Sequence, residues 1–115
     1  MFLQGICGDD DLDEIFALVS DDFTWWSILT REAIDKDALR LHVEQHRVGL
    51  RVGLDLLRCI NEHETVVIEA LGDCVTADGS HYDSPVVFII DTHDGRIVSV
   101  REYTDTRYAG QVLGI

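Results

Sequence analysis

The sequence predicts an α+β protein, with helices in the first half of the chain and a sheet in the second. Apolar residues recur at helical spacing up to about residue 50, and from Gly53 onward four alternating segments are separated by turn signals. Two of those signals, Asp78-Gly79 and Asp94-Gly95, are Asp-Gly pairs of the kind that close hairpins.

Gly8-Asp9-Asp10-Asp11 precedes Leu12, Ile15, Phe16 and Val19, an i, i+3, i+4, i+7 stripe with acids at its positive end. A helix is expected from Asp11 to Ser20. Phe23 to Ile28, rich in aromatic and β-branched side chains, is expected as a short strand. Asp35 is placed to cap a second helix, on which Leu39, His42, Val43, His46 and Leu50 share one face. The strands that follow are expected over Gly53 to Asn61, Thr65 to Thr76, His81 to Thr92 and Arg96 to Asp105, folded as an antiparallel meander.

A chain of 115 residues predicts one domain, 1–115, burying roughly two thirds of its unfolded surface. Nine Lys plus Arg against 22 Asp plus Glu leave a net charge of -13, which disfavours nucleic acid and anionic membrane surfaces as partners. The apolar run Pro85 to Ile90 is far shorter than the ~20 residues of a membrane span. Met1-Phe2-Leu3-Gln4-Gly5 lacks the basic segment and apolar core of a secretory signal, so a cytoplasmic address is expected. Cys7, Cys59 and Cys74 lack CxxC spacing and suit reduced core thiols. No GxSxG elbow and no GxGxxG loop occurs, so neither a serine nucleophile nor a nucleotide cofactor is implied. No cofactor or metal is expected.

The order of elements, the segment Gly8 to Phe23, Ala77-Asp78-Gly79 followed by Pro85 to Phe88, and above all Asp94 to Asp105 (DGRIVSVREYTD) resemble the nuclear transport factor 2 fold. Within it, the chain resembles the SnoaL-like family of polyketide cyclases and their relatives. The resemblance implies a cone-shaped, curved antiparallel sheet wrapped round helices, with an apolar pocket inside and a homodimer formed through the sheet. The long first helix of that fold is expected to be truncated, since seven residues precede Gly8, leaving one wall of the cone open or supplied by a partner. Because the fold hosts isomerases, cyclases, epoxide hydrolases, dehydratases and noncatalytic modules, it does not assign the chemistry.

By its matched position in limonene-epoxide-hydrolase-like relatives, Asp105 is expected to point into the cone. The period of two then puts Tyr103, Arg101, Ser99 and Ile97 on the same face and Val98, Val100 and Glu102 outside. A carboxylate in an apolar pocket has a raised pKa and can serve as a general base, the role expected of Asp105. The alternative is that Asp105 pairs with Arg101 or Arg107, or ends the strand by accepting from backbone amides. His42 and His46 form an HxxxH pair able to orient a carbonyl or shuttle a proton, His46 being the catalytic candidate; each is otherwise a core histidine. Zinc is disfavoured because Val43 stands where a zincin glutamate would be. Either Trp25 or Trp26 should line the pocket, the other the packing side. Glu69, between Ile68 and Ala70, is a pocket or an interface residue.

The family comparison also marks departures. Ser27 and Val87 stand at the base and oxyanion positions of ketosteroid isomerases, and Trp25 and Ser27 at the water-holding Tyr and Asn of limonene-epoxide hydrolases. Two hypotheses follow. One is a cofactor-free enzyme acting on a small hydrophobic carbonyl or epoxide compound, with Asp105 as base and His46, Tyr103 or Arg101 polarising the oxygen. The other is a noncatalytic module that binds a hydrophobic ligand or dimerises through its sheet.

Overall fold

A computed structural model of the chain describes residues 2–3, 11–46, 51–75, 79 and 81–113. The elements run α1 Leu12–Phe16, β1 Val19–Ser27, β2 Glu32–Asp35, α2 Lys36–His46, β3 Arg51–Glu62, β4 Thr65–Val75, β5 His81–His93, β6 Arg96–Thr104 and α3 Thr106–Leu113. All six strands form one curved sheet in the order β2-β1-β6-β5-β4-β3. From β3 to β6 it is the expected antiparallel meander, but β1 joins β6 in parallel, so the sheet is mixed.

Helix α1 is shorter than its apolar stripe suggests. Asp11 caps it by accepting from the Asp13 amide at 2.9 Å. It stops at Phe16 because the Ile97 amide donates to the Leu18 carbonyl at 2.9 Å and draws Val19 into β1. Sheet pairing overrides helical periodicity there. At the other end of the small β2 strand, Asp35 accepts from the Ala38 amide at 2.8 Å and starts α2, as its position in the sequence implied.

The β5–β6 turn is a two-residue loop closed by the pair His93 and Arg96, with Asp94 at φ 51° and Gly95 at φ 79°. Both central residues thus adopt the positive φ that a type I′ hairpin turn requires. The β3–β4 turn likewise places His63 at φ 55°. Helix α3 was not expected from the sequence; its Ala109 is fully buried.

The core lies on one face of the sheet. Ile68 and Ala70 of β4, Val86, Phe88 and Ile90 of β5 and Val100 of β6 are buried there, with Val19 and Phe23 of β1. They pack against Ile15 and Phe16 of α1, Leu39 and Val43 of α2, and the helical residues Phe2 and Leu3. This covered face is called the inner face below. The expected truncation of a first helix falls on residues 1–10, of which only Phe2 and Leu3 are described. Cys59 is an exposed thiol on edge strand β3 rather than a core residue; Cys7 and the side chain of Cys74 lie outside the described residues. Among the described residues, no helix is long and apolar enough to cross a membrane.

Candidate functional site

Register decides which side chains share the inner face. Paired residues of neighbouring strands point the same way, and β6 pairs Val100 with Ile90, Glu102 with Phe88 and Thr104 with Val86. Strand β1 adds Trp25 opposite Val100 and Ser27 opposite Glu102. Trp25, Ser27, Phe88, Glu102 and Thr104 therefore belong to one inner surface. From Ser99 onward the alternation expected for β6 is inverted: Val100, expected outside, is fully buried, and Glu102 faces in, while Ile97, on the far side of a register shift, packs against the core as expected.

Glu102 is the acid of this surface. It is half-buried, and its Oε1 accepts from the Ser27 hydroxyl at 2.7 Å. Ser27 Oγ accepts in turn from the Leu29 amide at 3.2 Å, which fixes the hydroxyl with its proton toward the carboxylate. The Ile28 amide donates to the Glu102 carbonyl at 3.0 Å, locking the two strands at this level. Burial pushes the Glu102 carboxyl above its ordinary range, and the Ser27 bond pulls it back in part. Beside it, the rings of Trp25 and Phe88 meet edge to face at 6.0 Å. At the neighbouring level, Ser84 is buried and its hydroxyl lies 3.3 Å from that of Thr104, which donates to the Pro85 carbonyl at 2.9 Å. Those hydroxyls satisfy one another.

The other expected site residues lie elsewhere. Asp105 is exposed and follows the end of β6; its Oδ1 accepts from the amides of Arg107 at 3.0 Å and Tyr108 at 3.1 Å. It is the N-cap of α3, the backbone-bonding alternative named above, and does not point into the cone. Among the described residues, no ion pair joins it to Arg101 or Arg107. Arg101 and Tyr103, odd-numbered neighbours of Glu102, fall on the outer face with Trp26. The Arg101 guanidinium sits 4.3 Å from the centre of the Trp26 ring, and its Nε donates to the Tyr103 hydroxyl at 3.0 Å. Trp25 is thus the inner tryptophan and Trp26 the outer one. Glu69 pairs with Val87, which pairs with Tyr103, and is exposed on that same outer face.

On α2 the covered arc is Lys36, Leu39, Arg40 and Val43, with Leu39 and Val43 buried and the stems of the two cations half-buried beside them. His42 falls off this arc and is exposed. The His46 side chain lies outside the described residues. Alternation in β6 carried no signal that could have found Glu102: its even positions hold Val98 and Val100, its odd ones Ile97 and Tyr103, and a register shift opposite Asp91 and Thr92 lets Ile97 pack against the core as Val100 does.

Six mixed strands curved over helices form the nuclear transport factor 2-like fold. The SnoaL-like domain family matches residues 2–100, and the chain belongs to that family. Among solved structures, a hypothetical protein of ketosteroid isomerase-like fold from Catenulispora acidiphila, in complex with trimethylamine, is 12% identical with a TM-score of 0.82, over 97% of this chain and 88% of that one. A nuclear transport factor 2-like protein from Burkholderia xenovorans is 17% identical with a TM-score of 0.81, over 96% and 88%. An LEH-like epoxide hydrolase from M. tuberculosis is 16% identical with a TM-score of 0.76, over 89% and 77%. These likenesses establish the fold. No curated protein matches the sequence.

Proposed function

We propose that the chain is a cofactor-independent acid/base enzyme acting on a small hydrophobic carbonyl or epoxide compound, with Glu102 as the group that moves the proton. The observation that supports this reading is the half-buried Glu102 carboxyl, held by one hydroxyl beside Trp25 and Phe88. A base is most effective when its pKa lies near the working pH, and burial moves Glu102 in that direction. In its ionised form it takes a proton from a carbon next to a carbonyl, or from a water that opens an epoxide. Ser27 aims the carboxylate, and the aromatic pair holds the apolar body of the substrate. His46, from the helix packed on this face, is the proposed partner of the substrate oxygen. Arg101 and Tyr103, on the outer face, take no part in this reading. We further assign the protein to the cytoplasm.

Turnover of a panel of small epoxides and enolisable ketones tests this. Glu102→Gln should lose roughly 10²- to 10⁴-fold in rate, while Asp105→Asn, altered at a helix cap, should keep it. Equal turnover by Glu102→Gln and the wild type would sink the reading.

A second reading, a homodimer through the sheet, is favoured by the outer face. There Ile60, Val67, Val87 and Ile89 adjoin Trp26 and Tyr103, and Ile60 is 53% exposed. Sedimentation of the wild type and Ile89→Glu tests it: a dimer that the variant converts to monomer supports the interface, and a monomeric wild type removes it.

A further inference from the structure

Among the described residues, the inner face sets a carboxylate beside aromatic rings and gives it no cation. Among the described residues, Ser27 is the hydrogen-bond partner of the Glu102 side chain, and no ion pair includes it. A carboxylate offers about four acceptor sites, so most of this one's capacity meets no described donor. Three of the described cations are engaged elsewhere. Lys36 lies 3.7 Å from Asp21, Arg40 lies 2.6 Å from Asp13 and 3.3 Å from Glu44, and Arg101 lies on Trp26 across the sheet. The whole chain carries a net charge of -13, a field that gathers cations and repels anions.

We propose that the inner face at Glu102 binds a small protonated alkylamine, whose N–H donates to the Glu102 carboxylate while its alkyl groups lie against Trp25 and Phe88. A carboxylate taken partly out of water gains most from a charged donor, and aromatic rings favour an apolar-bodied cation over a hydrated one. An anionic ligand would meet Glu102 and the net charge with no ion-pair partner of Glu102 among the described residues to offset either. A quaternary ammonium keeps the charge but has no N–H to give. The proposal rests on Glu102 lying at the ligand site, as in the function proposed above, and not on the reaction assigned to it.

Calorimetric titration of the full chain tests it, with triethylammonium chloride as the probe and tetraethylammonium chloride and 3-pentanol as comparators. The wild type should bind triethylammonium saturably, tetraethylammonium more weakly and 3-pentanol weakest. Glu102→Gln should weaken triethylammonium binding by about tenfold or more. Glu69→Gln, which removes one negative charge from the outer face, should leave it unchanged. Trp25→Leu, which keeps the carboxylate, should weaken it by about threefold or more. Far-UV circular dichroism confirms that each variant is folded. Absence of saturable binding by the wild type, equal affinity in folded Glu102→Gln, equal binding of 3-pentanol, or an equal loss in Glu69→Gln overturns the proposal. Loss of epoxide or ketone turnover in Glu102→Gln without amine binding by the wild type overturns the amine site alone. Amine binding without turnover overturns the acid/base reading alone.

Discussion

Removing the Ser27 hydroxyl should cost more stability than an ordinary surface serine, and the cost should depend on Glu102. The bond from Ser27 Oγ to Glu102 Oε1 is 2.7 Å long and part-buried, the geometry of a charge-assisted hydrogen bond. Such a bond contributes about 1.5–3 kcal/mol, and the 3.2 Å bond from the Leu29 amide to the same hydroxyl adds about 1 kcal/mol. Ser27→Ala should therefore lose about 2.5–4 kcal/mol, measured by urea denaturation. In a double-mutant cycle with Glu102→Leu, the coupling should be about 1.5–3 kcal/mol, since the Leu29 bond is lost equally in both backgrounds. The pH dependence follows from linkage. Burial raises the folded-state pKa of Glu102, so folding takes up a proton as pH rises above the unfolded value. Its contribution is fully present below the ordinary ~4.3 of an unfolded glutamate and is lost as pH rises through the folded value. In Ser27→Ala, the one bond opposing the shift is gone and the decline should extend to higher pH. In Glu102→Gln the decline should vanish. A coupling below about 0.5 kcal/mol, or the same pH profile in Glu102→Gln, would refute the placement of this pair.

Asp105→Ala should destabilise the chain by about 0.5–2 kcal/mol through loss of the α3 cap, while Asp105→Asn keeps most of it; thermal unfolding distinguishes the two. His93 lies 3.1 Å from Glu64 and 3.4 Å from Asp94, and chiefly the Glu64 bond raises its pKa. Its contribution is thus full below ~6.5, is lost as pH rises through the folded value, and should be absent from the difference profile of His93→Gln. Phe88→Ala should cost about 3–5 kcal/mol in denaturant unfolding, because it empties the centre of β5 and leaves the Trp25 ring without its partner.

Much of the architecture was open to local reading. The β3–β6 strands, the Asp94-Gly95 turn and the Asp35 cap depend on short-range preferences, alternation, positive φ and a carboxylate near free amides, which a sequence displays directly. Elements governed by distant partners were not. Helix α1 gives way to β1 because β6 supplies hydrogen bonds to it, and β2 exists because it pairs with β1.

The candidate site shows the same division more sharply. The alternation of β1 and the family likeness named Trp25 and Ser27 as candidates but left open which of Trp25 and Trp26 faces inward. Choosing Glu102 over Asp105 needed the fold. A period of two separates the residues of β6 into two sets but is silent on which set faces the helices. That choice comes from pairing with Phe88 and Ser27 on either side, and from the hydrophobic gain of burying Val100 rather than Arg101. Asp105, one residue beyond the strand, belongs to neither set: the α3 backbone turns there and its free amides take the carboxylate. Sequence settled the class of fold and the alternation of the strands it predicted, while long-range pairing and burial settled which face of β6 the helices cover.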